Sequence, residues 1–156
     1  MARGIIKQNG KKKGFTVIPK KPKKPKTPRL STLVTKADTV CSIYIRMKYS
    51  DHAGCITCIT CGAYMPWKDS QNAHYIERGH HWTRYLEENL HPTCASCNFY
   101  RKEFHKRQYT LAMIDLYGRE KITELEELSR KTISASQKRQ LALDAITYYQ
   151  EAVKSL

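Results

Sequence analysis

The apolar positions of this chain keep a helical period near its start, lose it through the middle and recover it toward the end. Leu33, Val34, Ala37, Val40, Cys41, Tyr44 and Ile45 recur at spacings that predict an amphipathic helix over 31–50, with Ser31 or Thr32 as its N-cap. Cys41 sits on that stripe, so it reads as a small core residue rather than a ligand. Little helical period appears from residue 55 until Asn98. Three helix candidates follow: one over 98–106, one through "YTLAMIDLYG" ending at Gly118 as its C′ glycine, and one over 136–155. The last puts Leu141, Ala145, Tyr148, Tyr149, Ala152 and Leu156 on one face. Between the second and third, Thr123 and Glu126 have the spacing of a capping box.

Composition limits what these elements can build. A hydrophobic fraction of 40% over 156 residues allows one modest core. The expectation is an arm over 1–30 and one domain over 31–156, divided into a helix at 31–50, a central unit at 55–106 and C-terminal helices at 107–156. No run of eighteen apolar residues offers a membrane span, and the N-terminus lacks the apolar stretch of a signal peptide, so a cytoplasmic protein is expected.

The net charge of +14 is unevenly placed. Residues 1–37 hold twelve Lys or Arg and no acid, residues 38–103 seven of each sign, and residues 104–156 nine basic against seven acidic. Within the arm, Lys11, Lys12, Lys13, Lys20, Lys21, Lys23, Lys24 and Lys26 are interleaved with Pro22, Pro25 and Pro28. Like charges repel and proline disfavours helix, so the arm is expected to be extended and disordered when free. It would attract polyanions, DNA above all, by neutralising phosphates. The plainer alternative is a solubilising tail.

The six cysteines lie in a chain expected to be cytoplasmic, which favours metal over disulfides. "CITCITCG" contains two overlapping C-x-x-C pairs. A thiolate turn folds back just after its second cysteine, where a residue tolerant of positive φ is favoured. Gly62 follows Cys61 and Asn98 follows Cys97, whereas β-branched Ile59 follows Cys58. The set is therefore Cys58, Cys61, Cys94 and Cys97, a four-thiolate structural zinc site with no open position, and Cys55 stays outside.

Between the two pairs, "NAHYIE" can run as a strand through His74, a polar loop with Arg78, His80 and His81 follows, and "NLHPTC" can return as a second strand with Pro92 on an edge. Asn98 then opens a helix. His74, Asn89 and Asn98 in that order, flanked by C-x-x-C pairs, resemble an HNH or ββα-metal nuclease motif. The wider strings "YIRMKYSDHAGCITCITCG", "AHYIERG", "NLHPTCASCN" and "LYG" resemble the NinG/Rap family of phage recombination endonucleases, over roughly residues 33–156. Endonuclease VII-type junction resolvases share the plan more distantly.

The resemblance implies an α+β fold: a small zinc-stapled ββα-metal core flanked by helices. It implies a metal-dependent endonuclease cutting branched DNA such as Holliday junctions, acting as a homodimer, with other phage recombination proteins as further partners. His74 would be the general base, Asn98 would hold a catalytic Mg²⁺ or Mn²⁺, Asn89 would brace the His74 loop, and zinc would clamp strand to helix. Many HNH enzymes carry an Asp before the catalytic His; here Ala73 stands there and cannot ligate. His91 is the first replacement considered, with Asp69 and Glu103 behind it, and a loop-bracing role is its alternative. Arg78, Arg84, Arg101 and Lys102 would suit phosphate contacts. The alternatives are an HNH nuclease for linear duplex and a non-catalytic zinc DNA-binding protein.

Overall fold

The computed structural model describes residues 27–99 and 103–156, without the side chains of Glu103 and Phe104. The arm lysines from Lys11 to Lys26, together with Arg101, Lys102 and the Glu103 side chain, lie outside this description.

Helix α1 (Leu30–Lys48) buries Leu33, Ala37, Cys41, Tyr44 and Ile45, the stripe expected from the sequence. Its N-cap is Arg29 and makes no side-chain capping bond, so Ser31 and Thr32 stand inside the first turn instead. Burial pushes the Cys41 thiol up to about 12, as suits a core residue. Helix α4 (Ala135–Lys154) lies against α1 and buries Ala142, Ala145, Ile146 and Tyr149. Tyr148 and Leu156, expected on the buried face, are 56% and 60% exposed. The expected Ala145 and Tyr149 are buried, joined by Ala142 and Ile146 rather than by Tyr148 and Leu156. Ser134 and Gln137 close a capping box at the start of α4: the Gln137 N–H donates to Ser134 Oγ at 3.2 Å, and the Ser134 N–H donates to Gln137 Oε1 at 2.9 Å. The apolar faces of α1 and α4 are covered by each other, so neither offers a dimer interface through its core stripe.

Four short strands form two separate antiparallel hairpins, β1 (Cys55–Thr57) with β2 (Tyr64–Pro66) and β3 (Gln71–His74) with β4 (Leu90–Thr93). In the second, Ala73 faces His91 and His74 faces Leu90. Alternation therefore puts Ala73 and His91 on one face, and Asn72, His74 and Leu90 on the other. Leu90 enters the α1–α4 core, while Ala73 packs with Tyr109, Met113 and Leu125 in a second core. Pro92 lies opposite Asn72, where its carbonyl accepts from the Ile59 N–H at 3.2 Å and ties the hairpins together.

The remaining helices are α2 (Ala95–Phe99) and α3 (Glu103–Ser129). Gly118, with φ of 79°, does break the helix as its position suggested, but the chain resumes helical geometry at once and runs on to Ser129. Thr123 is consequently no cap: it lies within the helix, and its hydroxyl donates to the Arg119 carbonyl at 3.2 Å. Asn98 also departs from expectation. It lies inside α2 rather than opening it, and no non-glycine residue among those described has positive φ. The fold is a small mixed α+β domain.

Candidate functional site

Two structures converge on β3, β4 and α2, and the first is the cysteine cluster. Gly62 takes the positive φ (72°) that the turn after Cys61 requires, and its N–H donates to the Cys58 carbonyl at 2.9 Å. The second pair is built differently, with Cys94 immediately before α2 and Cys97 within it. One ligand atom from each of Cys58, Cys61, Cys94 and Cys97 falls within 4.8 Å of all the others, and the Sγ atoms of Cys61 and Cys94 are 3.8 Å apart. A tetrahedral zinc with bonds of about 2.3 Å separates its sulfurs by about 3.8 Å, so the cluster can hold a zinc ion. Backbone N–H groups point at the sulfurs, from Cys94 to Cys58 Sγ at 3.2 Å and from Cys97 to Cys94 Sγ at 3.4 Å. Burial raises the Cys58 pKa, but the N–H groups of Cys94, Cys61 and Thr60 outweigh it and hold this thiol below the ordinary range. Burial and the neighbouring cysteines push Cys61 and Cys97 up. Cys55 stays outside the cluster.

The second structure is a pair of adjoining clefts. One, of about 280 Å³, is lined by Ala73, His74, Glu77, Thr93, Asn98 and His105 among others; its neighbour is lined by Asn72, His74, Arg78 and Asn98 with the flanking Gln71 and Phe99. His74 and Asn98 border both. His74 is 6% exposed, and its Nδ1 lies 3.4 Å from Arg78 Nε. Burial, then the positive charge of Arg78, lowers its pKa to about 4, so the ring is neutral near pH 7. Two buried oxygens on the cleft walls, Asn72 Oδ1 and Thr93 Oγ1, have no partner among the described residues. Unpaired buried oxygens of this kind suit a polar or cationic occupant.

Asn89 holds the loop between β3 and β4. Fully buried, it accepts from the Ile76 N–H at 2.7 Å and donates to the carbonyls of Ile76 at 3.0 Å and Thr83 at 2.9 Å.

The chain matches the family described as Bacteriophage Lambda NinG protein over residues 7–156. It belongs to the NinG family. No match was found among curated proteins or among solved structures. Among the described residues of this NinG-family chain, no helix is long and apolar enough to cross a membrane.

Several expected site residues serve other ends in this NinG fold. His91 is fully buried on the opposite face of the hairpin from His74. Its Nδ1 lies 3.1 Å from the Tyr109 hydroxyl and its Nε2 lies 2.9 Å from that of Tyr117, so it borders neither cleft and is no substitute ligand there. Arg84 grips Asp38 of α1 with two hydrogen bonds, of 2.8 and 2.6 Å, and is tied down rather than offered to phosphate. The His80 ring bonds the Ser129 carbonyl at 2.9 Å. Asp69 lies in the turn before β3, outside both clefts. Sequence reasoning passed over Asn72, Glu77, His105 and Lys106. Glu77 follows His74 by only three positions, and that closeness was the available signal; His105 and Lys106 reach the cleft through the path of α3.

Proposed function

We propose that this NinG-family protein is a metal-dependent endonuclease that hydrolyses phosphodiesters in branched DNA. The observation that carries the proposal is the shared cleft: a buried, neutral imidazole on the first strand of a ββα unit borders the same space as Asn98 on the helix that follows, beside a four-cysteine cluster. A neutral imidazole can take a proton from an attacking water, and His74 would do so through Nδ1 once Arg78 turns to a phosphate. Asn89 keeps the loop after His74 in register by bonding both backbone groups of Ile76.

Ala73 packs into the second core and supplies no carboxylate. Asn98 and Glu77, which line one cleft, are the oxygen donors that would hold Mg²⁺ or Mn²⁺, with the unpaired oxygens of Asn72 and Thr93 nearby. Such a cation, when bound, neutralises charge on the phosphate. Zinc on the four cysteines would fix α2, and with it Asn98, against β3. Arg78 and Lys106 stand at the cleft for phosphate contact, and the arm lysines add attraction that does not read sequence.

The preference for junctions and the homodimer that symmetrical resolution requires follow from the family resemblance. Competition between a four-way junction and a linear duplex of the same sequence, in Mg²⁺, tests both substrate and activity. Preferential cutting of the junction is expected. Equal cutting would make this a duplex nuclease, and no cutting of either would leave a zinc DNA-binding protein.

A further inference from the structure

A separate cavity of about 530 Å³ shares no residue with the His74 clefts. It is a groove between the end of α1, the 81–88 segment and α4, and its walls include Tyr49, Trp82, Tyr85, Tyr117 and Tyr148. Glu87, Glu88 and Asp144 also line it; Glu87 is paired with the one lysine there, Lys48, which leaves Glu88 and Asp144 as its acidic excess. On a chain of net charge +14 this is a locally acidic, aromatic surface. Within it, His81 Nδ1 is buried with no hydrogen-bond partner among the described residues.

The segment that leads into the structure at the start of α4, the helix that forms one wall of the groove, has matching chemistry. Its prolines stand at positions 19, 22, 25 and 28, in "PKKPKKPKTP", with a strict period of three. A polyproline II helix has three residues per turn, so this spacing gathers the prolines along one edge and turns the lysines to the other two. Such segments dock on aromatic-lined grooves, because the ring faces receive proline and the fixed conformation costs little further ordering. The arm also starts in the right place. Arg139, in the first turns of α4, donates to the Pro28 carbonyl at 3.0 Å, and the groove residues Leu141, Asp144, Ala145 and Tyr148 follow along the same helix. From Arg139 to Tyr148 the helix rises about 14 Å. The stretch from Pro28 back to Pro19 reaches about 28 Å in the polyproline II form, enough to lie along the groove.

We propose that this groove is the docking site of the chain's own proline-lysine segment, residues 19–26, bound in cis as a polyproline II helix with lysines facing Glu88 and Asp144. Docking withholds those lysines from polyanions until a stronger one competes for them. The proposal does not depend on nuclease activity.

Photocrosslinking of the full chain without DNA tests it. With p-benzoylphenylalanine in place of Tyr148, a crosslink within the monomer to residues 19–26 is expected. The same group in place of Leu143, which is 40% exposed on α4 and outside the groove, should give none. Changing Pro19, Pro22 and Pro25 to Ala keeps every charge and should reduce the Tyr148-site crosslink at least fivefold. A crosslink found only between two copies would overturn docking in cis. Equal yield from both positions, no arm crosslink, or an undiminished yield in the proline variant would overturn the groove as the site. Acrylamide quenching of tryptophan fluorescence provides a check that leaves the groove itself unaltered. The triple proline variant should be quenched about twice as readily as the wild type, as Trp82 is uncovered, and identical quenching would also overturn the proposal.

Discussion

The two ends of this small domain are held together by different physics. At the helical end, α1 and α4 bury a continuous set of apolar side chains, from Leu33 and Ile45 to Ile146 and Tyr149, and the Tyr149 hydroxyl donates to the Tyr85 carbonyl at 2.6 Å. At the cysteine end, β1 and β2 are three residues each, and α2 is described over five residues. Strands so short have little stability of their own. Four sulfurs that can hold a metal lie there, beside the smaller core around Ala73 and Met113. The difference matters because the candidate site is anchored to both ends. His74 lies opposite Leu90, which inserts into the helical core, whereas Asn98 follows Cys97 directly in the chain. Aligning the two residues therefore requires both kinds of stability at once.

Removing the metal should separate the ends most sharply. Structural zinc contributes on the order of 10 kcal/mol in small domains, so chelation or Cys58→Ser should release β1, β2 and α2. Hydrogen exchange would then show protection lost over 55–66 and 95–99 while the amides of α1 and α4 stay slow. Simultaneous loss in both helices would mean the two ends are one cooperative unit. The reverse perturbation is Ile45→Ala, which opens a cavity in the helical core. It should cost about 2–5 kcal/mol in urea unfolding with zinc content unchanged.

A smaller effect comes from pH. Burial holds His74 and His91 neutral, each with a pKa near 4, against an ordinary value of 6.5. The unfolded chain binds these protons first, so stability is full above about pH 6.5 and is lost as pH falls toward 4. Each histidine should contribute about 2 kcal/mol of loss between pH 7 and pH 5. The urea midpoint of His91→Gln should fall less steeply with acid than that of the wild type; parallel slopes would contradict the assignment. The smallest effect is expected at the start of α4, where Ser134→Ala removes half of the capping box and should cost about 1 kcal/mol, read as a lowered melting temperature.

Much of this division can be seen in the sequence, and what is hidden has physical reasons. The α1 stripe repeats over several turns, so its period is plain, and the turn after Cys61 needs the positive φ that Gly62 supplies. The β1–β2 hairpin was not foreseen because three-residue strands are too short to show alternation. The helix beyond Gly118 was cut short because one glycine marks a kink and a terminus alike. On α4 the expected Ala145 and Tyr149 are buried, but a large apolar side chain such as Tyr148 outweighs Ala142 in any apolar pattern, so the edge of the face is shifted. His91 looked available because its partners, Tyr109 and Tyr117, lie 18 and 26 positions away. The arm lysines, Arg101 and Lys102 fall outside the described residues.

The central claim is that His74 does chemistry while the cysteines only hold the frame. The direct measurement is cleavage of a four-way junction by His74→Ala in Mg²⁺, with bound zinc determined on the same sample. A positioned general base typically contributes about 10²–10⁴-fold, so cutting should fall by at least two orders of magnitude with zinc still at one per chain. Wild-type cleavage rates with zinc retained would contradict the account.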